Sequence, residues 1–323
     1  IIFLKIYFIV NFQVLNADSF EYNTYNNHGV VGLINIPTAR FYNEAVHGIT
    51  FYDGNPDQKI TLSSNPFDWL EASFFYTNIQ DRPYCEVEWD PVCQQSYKDK
   101  GFNLKVRIIE EDKLPAVAVG FYDIAGTGLY SSEYVVTSYG IENFDFHAGL
   151  AWGNLNDREN SFKNPFSYFS DNFLNRPSQF ADKGGQFQPS RYFSDETASL
   201  FYGFTYSLNK KTLFKFERDT TETPGLVGYK KSSSKFSFGV DRTVNDNFNM
   251  GLSFEKGNYI SLKFIYKNNP KKSKKNYEYK KAEVSENEDK YTKLIKNLEN
   301  NGIGVNTITE TANSIGLELT QFI

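Results

Sequence analysis

The chain has 323 residues, with 30 Phe and 22 Tyr against one Met and two Cys, a net charge of -5 and a mean hydropathy of -0.50. Large apolar groups are therefore spread singly among polar ones, which is how many alternating strands read and which excludes a bundle of long apolar membrane helices. The acidic balance argues against a nucleic-acid partner, which needs a concentrated basic excess, and the length suits two domains or one large all-β domain.

The N-terminal "IIFLKIYFIVNFQVLNADS" carries one Lys, an apolar run and a small residue at Ala17. It reads as a secretory signal peptide over 1–17 whose first residues are missing. No Cys lies near the expected cleavage point, so the chain offers no lipidation site there. Residues 18–45 are expected to form an N-terminal periplasmic segment.

From 46 to 267 the pattern alternates with period two, and about twelve strands are predicted. They fall near 46–53, 58–64, 69–78, 101–109, 115–123, 131–139, 144–152, 197–207, 212–219, 234–241, 248–255 and 258–267. Phe102, Leu104, Val106 and Ile108 share one face, with Asn103, Lys105 and Arg107 on the other. Phe146, Ala148, Leu150 and Trp152 oppose His147, Gly149 and Ala151 in the same way. An apolar outside and a polar or small-residue inside is the pattern of an antiparallel transmembrane β-barrel, although a soluble sandwich shows the same alternation inverted.

Connection lengths favour the barrel. The predicted connections near 79–100, 153–196 and 220–233 are long and fall at one end, whereas "SNPFD", "EEDKLP", "GIEN" and "LNKK" are short and fall at the other. Short turns at one rim and long loops at the opposite rim are characteristic of outer-membrane barrels. The aromatic-rich 153–196 connection is expected to pack on the rim or form a lid. Cys85 and Cys93, in "PYCEVEWDPVC", are read as a local disulfide rather than a metal site, because neither His nor further Cys lies nearby. The three His residues are scattered, so no metal and no cofactor is expected.

"PAVAVGFYDIAGTGLYSSEYVV", Pro115–Val136, raises the question of a phosphate loop through Gly126 and Gly128. No Lys-Ser/Thr follows and the next segment is strand-like, so a glycine turn at the outer rim is predicted instead. Val117, Val119 and Phe121 should face lipid, with Ala116, Ala118 and Gly120 facing the lumen.

Beyond the barrel, 268–287 is a charged linker and 288–323 the start of a small α/β module, expected to be periplasmic and cut short at its end. "DKYTKLIKNLENNG" there reads as an amphipathic helix with Tyr291, Leu294, Ile295 and Leu298 on one face, followed by two strand candidates.

If the apolar faces meet lipid, Glu71, Lys105, Arg107, Glu133, Lys215, Glu217 and Lys263 point inward. A basic side chain on the lipid face would cost about 2 to 4 kcal/mol near the midplane. Asp123 and Glu133 flank the glycine turn and could meet as a glycosidase pair, but acidic residues are plentiful and no enzyme is expected.

Several segments, in order, resemble the YjbH-type family of exopolysaccharide and group 4 capsule outer-membrane proteins. They are "GLINIPTARF", "NPFDWLEASFFYTNI", the run from Asp99 to Val136, "FDFHAGLAWGNL" and "LFKFERD", within about Gly29 to Lys267. The resemblance implies an outer-membrane barrel of a Gram-negative bacterium that takes part in polysaccharide secretion or assembly, as a conduit or as an accessory of the machinery. Its implied partners are membrane lipid, the surface polysaccharide and other secretion proteins, and it implies no catalytic residues. Members are longer, and some are lipoproteins, from which this chain departs. The competing expectation is a secreted soluble β-sandwich that binds carbohydrate.

Overall fold

A computed structural model describes residues 23–55, 57–85, 95–178, 185–221, 232–272 and 281–321. The predicted signal peptide, Cys93 and much of the charged linker lie outside the described residues. The chain divides into two units, residues 1–271 and 272–323.

The first unit is a closed antiparallel barrel. Its opening strands are β1 (His47–Asp53), β2 (Asp57–Phe67), β3 (Leu70–Pro83) and β4 (Ser96–Ile109). They are followed by β5 (Ala116–Tyr122), β6 (Ser132–Ile141) and β7 (Phe144–Gly153). A short β8 (Ser161–Lys163) lies within the longest connection, and β9 (Thr197–Asn209), β10 (Thr212–Arg218), β11 (Phe236–Thr243), β12 (Phe248–Glu255) and β13 (Tyr259–Asn268) complete the wall. Each barrel strand pairs with the next, β7 pairs directly with β9, and β13 pairs with β1, for example Phe51 with Phe264. That last pairing removes both sheet edges and leaves one continuous ring of twelve strands, so the soluble two-layer sandwich is excluded.

Side-chain parity separates outside from inside. Leu252 is 53 % exposed and Leu62 51 %, whereas Lys105 and Glu217 are 0 % exposed. A soluble core would have these values reversed; exposed leucines around a wall with buried charges inside define a surface made for hydrocarbon. Aromatic residues gather at the short-turn rim, where Phe67 stacks on Trp69 at 5.4 Å and Phe144 lies 4.7 Å from Tyr206. Rings placed there match the interfacial girdle of a membrane barrel. β5 has the predicted parity, with Ala116, Ala118 and Gly120 buried and Val117, Val119 and Phe121 half-buried on the other face.

The short connections, 68–69, 110–115, 142–143, 210–211 and 244–247, share one rim, and the long ones share the other. The Gly-Thr-Gly turn lies at the long-loop rim between β5 and β6. Asp123 Oδ2 accepts from the Gly128 and Tyr130 amides at 2.8 and 3.2 Å, and Asp99 accepts from the Thr127 hydroxyl at 2.9 Å. Gly126 is required because a Cβ there would overlap the Asp123 carboxylate. The glycines fit a turn around a buried acid and present no helix N-terminus to a phosphate.

Burial and the nearby Asp99 charge push Asp123 up to about 7, against an ordinary value of 3.8. An acid raised in the folded state contributes stability that is complete below about 4 and is lost as pH rises through about 7. The turn should therefore resist proteolysis better at pH 5 than at pH 8, and Asp123→Asn should flatten that dependence. Cleavage rates at the two pH values, corrected on an unfolded substrate, test both expectations.

The second unit is described over residues 272 and 281–321. Among its described residues it holds one helix, α1 (Lys290–Glu299), and one hairpin, β14 (Ile303–Thr311) with β15 (Ser314–Gln321). The Asp289 side chain caps α1 by accepting from the Tyr291 and Thr292 amides, and Gly302 follows at φ +80°. α1 packs against β14 through its half-buried face.

Candidate functional site

The lumen of the barrel is occupied by its own N-terminal segment. Residues 24–42, expected to lie in the periplasm, run through the interior as a compact double turn. The Asn27 amide bonds to Ile34 O at 2.8 Å and the Leu33 amide to Ile36 O at 3.0 Å. Asn26 Oδ1 accepts from the His28 and Val30 amides at 2.9 and 3.1 Å. Gly29 sits at φ +71°, where a Cβ would also overlap Thr61 of the wall, so only glycine fits this turn.

The plug has an apolar and a polar attachment. Val30, Leu33, Ile36, Ala39 and Phe41 form one buried cluster with Ala116, Ala118, Tyr134 and Phe201 of β5, β6 and β9. The small residues of β5 thus leave room for the plug and do not line a water channel. The polar attachment uses the charged wall residues, and this is why those charges can be buried at all.

Glu71 on β3 accepts from the Val31 amide at 2.7 Å and pairs with Lys105 on β4 at 2.7 Å. Lys105 Nζ also donates to Val31 O and Arg40 O at 3.0 and 2.8 Å. On the opposite wall Glu217 accepts from the Ile34, Asn35 and Ile36 amides at 2.9, 2.9 and 3.3 Å. Lys215 donates to Thr24 Oγ1, Gly32 O and Leu33 O at 2.6 to 2.9 Å and pairs with Asp241 at 2.8 Å. Lys263 lies 3.4 Å from the same Asp241 oxygen. Arg107 places its guanidinium 4.9 Å from the centre of the Phe41 ring, a cation–π contact.

Near the short-turn rim, Arg40 of the plug pairs with Asp145 on β7 at 2.6 Å and with Glu111 at 2.5 Å. Ser138 Oγ lies 2.8 Å from His147 Nδ1 and accepts from the Ala39 amide at 2.9 Å. His147 Nε2 lies 3.6 Å from Asp145. Ser, His and Asp meet here, yet all three are buried beneath the plug and Asp145 is held by Arg40. The arrangement as it stands anchors the plug.

Glu133 is a correction. The cost of charge on the lipid face predicts it in the lumen, but on β6 it is Tyr134, Val136 and Ser138 that point inward. Tyr134 and Val136 belong to the cluster packed on the plug. Glu133 instead shares the outer face with its cross-strand neighbours Phe121 and Trp152. It is buried there because the 154–196 connection folds over the outer wall and supplies Arg176, bonded to both carboxylate oxygens at 2.7 and 3.0 Å. Trp152, expected to meet lipid, is covered in the same way: its indole donates to Asn164 Oδ1 at 3.0 Å and packs on Phe166 and Phe193.

The connection is therefore a collar packed on the rim. Arg176→Ala should lower the cost of opening it by ~1–3 kcal/mol, since Glu133 would be left without its bidentate partner. Faster chymotrypsin cleavage within 158–178 at unchanged barrel stability is the expected result. Asp123 and Glu133 are each engaged by their own neighbours, the turn amides and Arg176, so neither stands as the free member of a carboxylate pair.

At the long-loop end a vestibule sits above the plug. Tyr130 donates to Asp57 at 2.6 Å, Lys59 lies 4.2 Å above the Tyr130 ring and 3.1 Å from His28 Nδ1, and Tyr52 reaches Glu255 at 3.4 Å. The cavity among them measures about 40 Å³. That is room for a few waters and too little for a sugar ring. Cys85 follows β3 on this side; Cys93 lies outside the described residues, so the pair stays an expectation.

A closed ring of twelve antiparallel strands with an apolar exterior, an aromatic rim and a polar interior defines a transmembrane β-barrel with a plugged lumen. A family model described as "Exopolysaccharide biosynthesis protein YbjH" matches residues 24–322, and the chain belongs to this YjbH family. It is 37 % identical over 236 residues to the "Uncharacterized lipoprotein YjbH" of Escherichia coli (strain K12), an alignment covering 72 % of this chain and 33 % of that protein. The chain thus spans about a third of the length of that curated relative. Among solved structures it is similar to the KdgM porin, with a TM-score of 0.37 and 6 % identity over 69 % of this chain and 97 % of that one. It is also similar to the COG4313 outer membrane channel from Pseudomonas putida F1, with a TM-score of 0.30 and 8 % identity over 71 % and 97 %.

Proposed function

We propose that the protein acts in the assembly or secretion of a surface exopolysaccharide or capsule, as an accessory barrel in the outer membrane of a Gram-negative bacterium. The long loops face outward and the second unit lies in the periplasm. The observation that carries the accessory reading is the filled lumen: residues 24–42 occupy the interior, and the vestibule above them holds no space for a sugar. Family membership supports the polysaccharide link. A conduit role needs the plug to leave, and the many bonds from Glu71, Lys105, Lys215 and Glu217 oppose that in the resting state.

In this reading the partners are membrane lipid, the polysaccharide and other secretion proteins, and the chain performs no catalysis. Removal of the gene should reduce surface polysaccharide, measured as cell-bound polymer per cell, and restoration of the intact gene should recover it. An unchanged amount in the deletion strain would overturn the proposal.

A further inference from the structure

The outer wall is not uniformly convex. A groove of about 370 Å³ crosses the outward faces of β6, β7 and β9. Register explains it: Thr137, Ala148 and Tyr202 lie side by side across these strands, and in the adjacent row Tyr139, Phe146, Phe204 and Phe216 do the same. Ala148 is small among aromatic neighbours, so a trough opens above it. Phe204 lies 6.2 Å from Phe146 and 5.4 Å from Phe216, which makes one continuous aromatic flank. The Thr137 hydroxyl donates to Ala116 O at 3.0 Å, so its polar atom is already satisfied within the wall. Pro115, at the end of the short connection 110–115, lines the trough on the β5 side.

We propose that this groove is a lipid site that retains one acyl chain of a phospholipid from the leaflet on the short-turn side. The groove is continuous with the apolar belt, so hydrocarbon is what faces it in the bilayer. Its volume of about 370 Å³, against about 40 Å³ for the vestibule, gives room for a long stretch of a fatty-acyl chain. An empty trough of this size would forfeit dispersion contacts along its lining, and an extended chain restores them. The Tyr139–Phe146 pair of the trough stands two positions from the last pair before the 142–143 turn, Ile141 with Phe144, so the headgroup stays at the short-turn rim, where water is available.

The test uses the full-length protein extracted in mild detergent, with phospholipid retained after extensive detergent exchange counted by native mass spectrometry. The wild type should keep one phospholipid through exchange. Ala148→Trp, which fills the trough, should lower the lipid-bound fraction by about tenfold. Leu200→Trp, on the same belt but outside the trough, should leave that fraction unchanged. Thr137→Phe fills the trough from the neighbouring strand and replaces Ala148→Trp if that variant loses the heat-modifiable gel shift of a folded barrel. Wild-type protein that retains no lipid, filled variants that retain as much as wild type, or retention of lipid A in place of phospholipid would each overturn the proposal.

Discussion

Deletion of residues 24–42 should convert a barrel that is silent in a planar bilayer into one that conducts and lets small sugars cross. Twelve strands lie between eight, whose interior side chains fill, and sixteen to eighteen, which leave an aqueous channel. Without the plug, Ala116 and Ala118 of β5 and Gly203 of β9, which face plug residues such as Leu33, leave a real opening. The wall closes through its own backbone ladder, β13 to β1 and β9 to β10, and no plug residue takes part in those pairings. The released charges would meet water and stay solvated. Sugar flux into proteoliposomes should rise by on the order of tenfold or more, with the heat-modifiable shift retained. A milder variant gives the same sign: Glu217→Ala removes the acceptor for three plug amides, each worth ~1–3 kcal/mol when left unsatisfied, so brief openings should appear. A deletion variant that folds and stays silent would show that something else fills the lumen.

The barrel was legible because its determinants are local. Alternation in "GFNLKVRII" or "FDFHAGLAW" requires only that one face meet hydrocarbon, and the twelve predicted segments correspond to the twelve wall strands. The inward placement of Glu71, Lys105, Lys215, Glu217 and Lys263 followed from the same parity. Glu133 failed because "SSEYVVTSYG" has apolar residues in both phases, so charge alone decided the assignment. The actual phase is set by Tyr134, which fills the space that Gly120 leaves on the neighbouring strand.

The plug left no such trace. "NNHGVVGLINIPT" has neither period two nor 3.6, and its partners are far away in sequence: Asn35 is 182 residues from Glu217, and Asn27 is 228 from Glu255. One signal was present. A lumen lined by so many charges needs either water or bonded partners, and the Asn-, Gly- and Ile-rich segment could supply backbone partners and apolar bulk together. The collar was hidden for the same reason, since Arg176 and Glu133 meet only after the long connection folds back on the wall.

Lys105→Met should be among the most destabilising single changes in the wall, at ~3–5 kcal/mol, because it leaves Glu71 buried without a cation and removes the donor to Val31 O and Arg40 O. Lys263→Met is the informative comparison. Its partner Asp241 keeps Lys215 at 2.8 Å, so the loss should stay within about 1–2 kcal/mol. If buried charge alone set these costs, Glu71→Met with Lys105→Met would recover most of the loss, since the pair is removed together. The plug predicts only partial recovery, because the Val31 amide and Arg40 O then lose their partners and Val31 O keeps only Thr38. Exchanging the two residues, Glu71→Lys with Lys105→Glu, sharpens the distinction. The Coulomb pair survives, but the Val31 N–H now faces an ammonium. That swap should remain as unstable as Lys105→Met itself. Midpoints of the heat-induced gel shift in one detergent rank all four variants; a swap as stable as wild type would mean that the pair braces the wall and does not hold the plug.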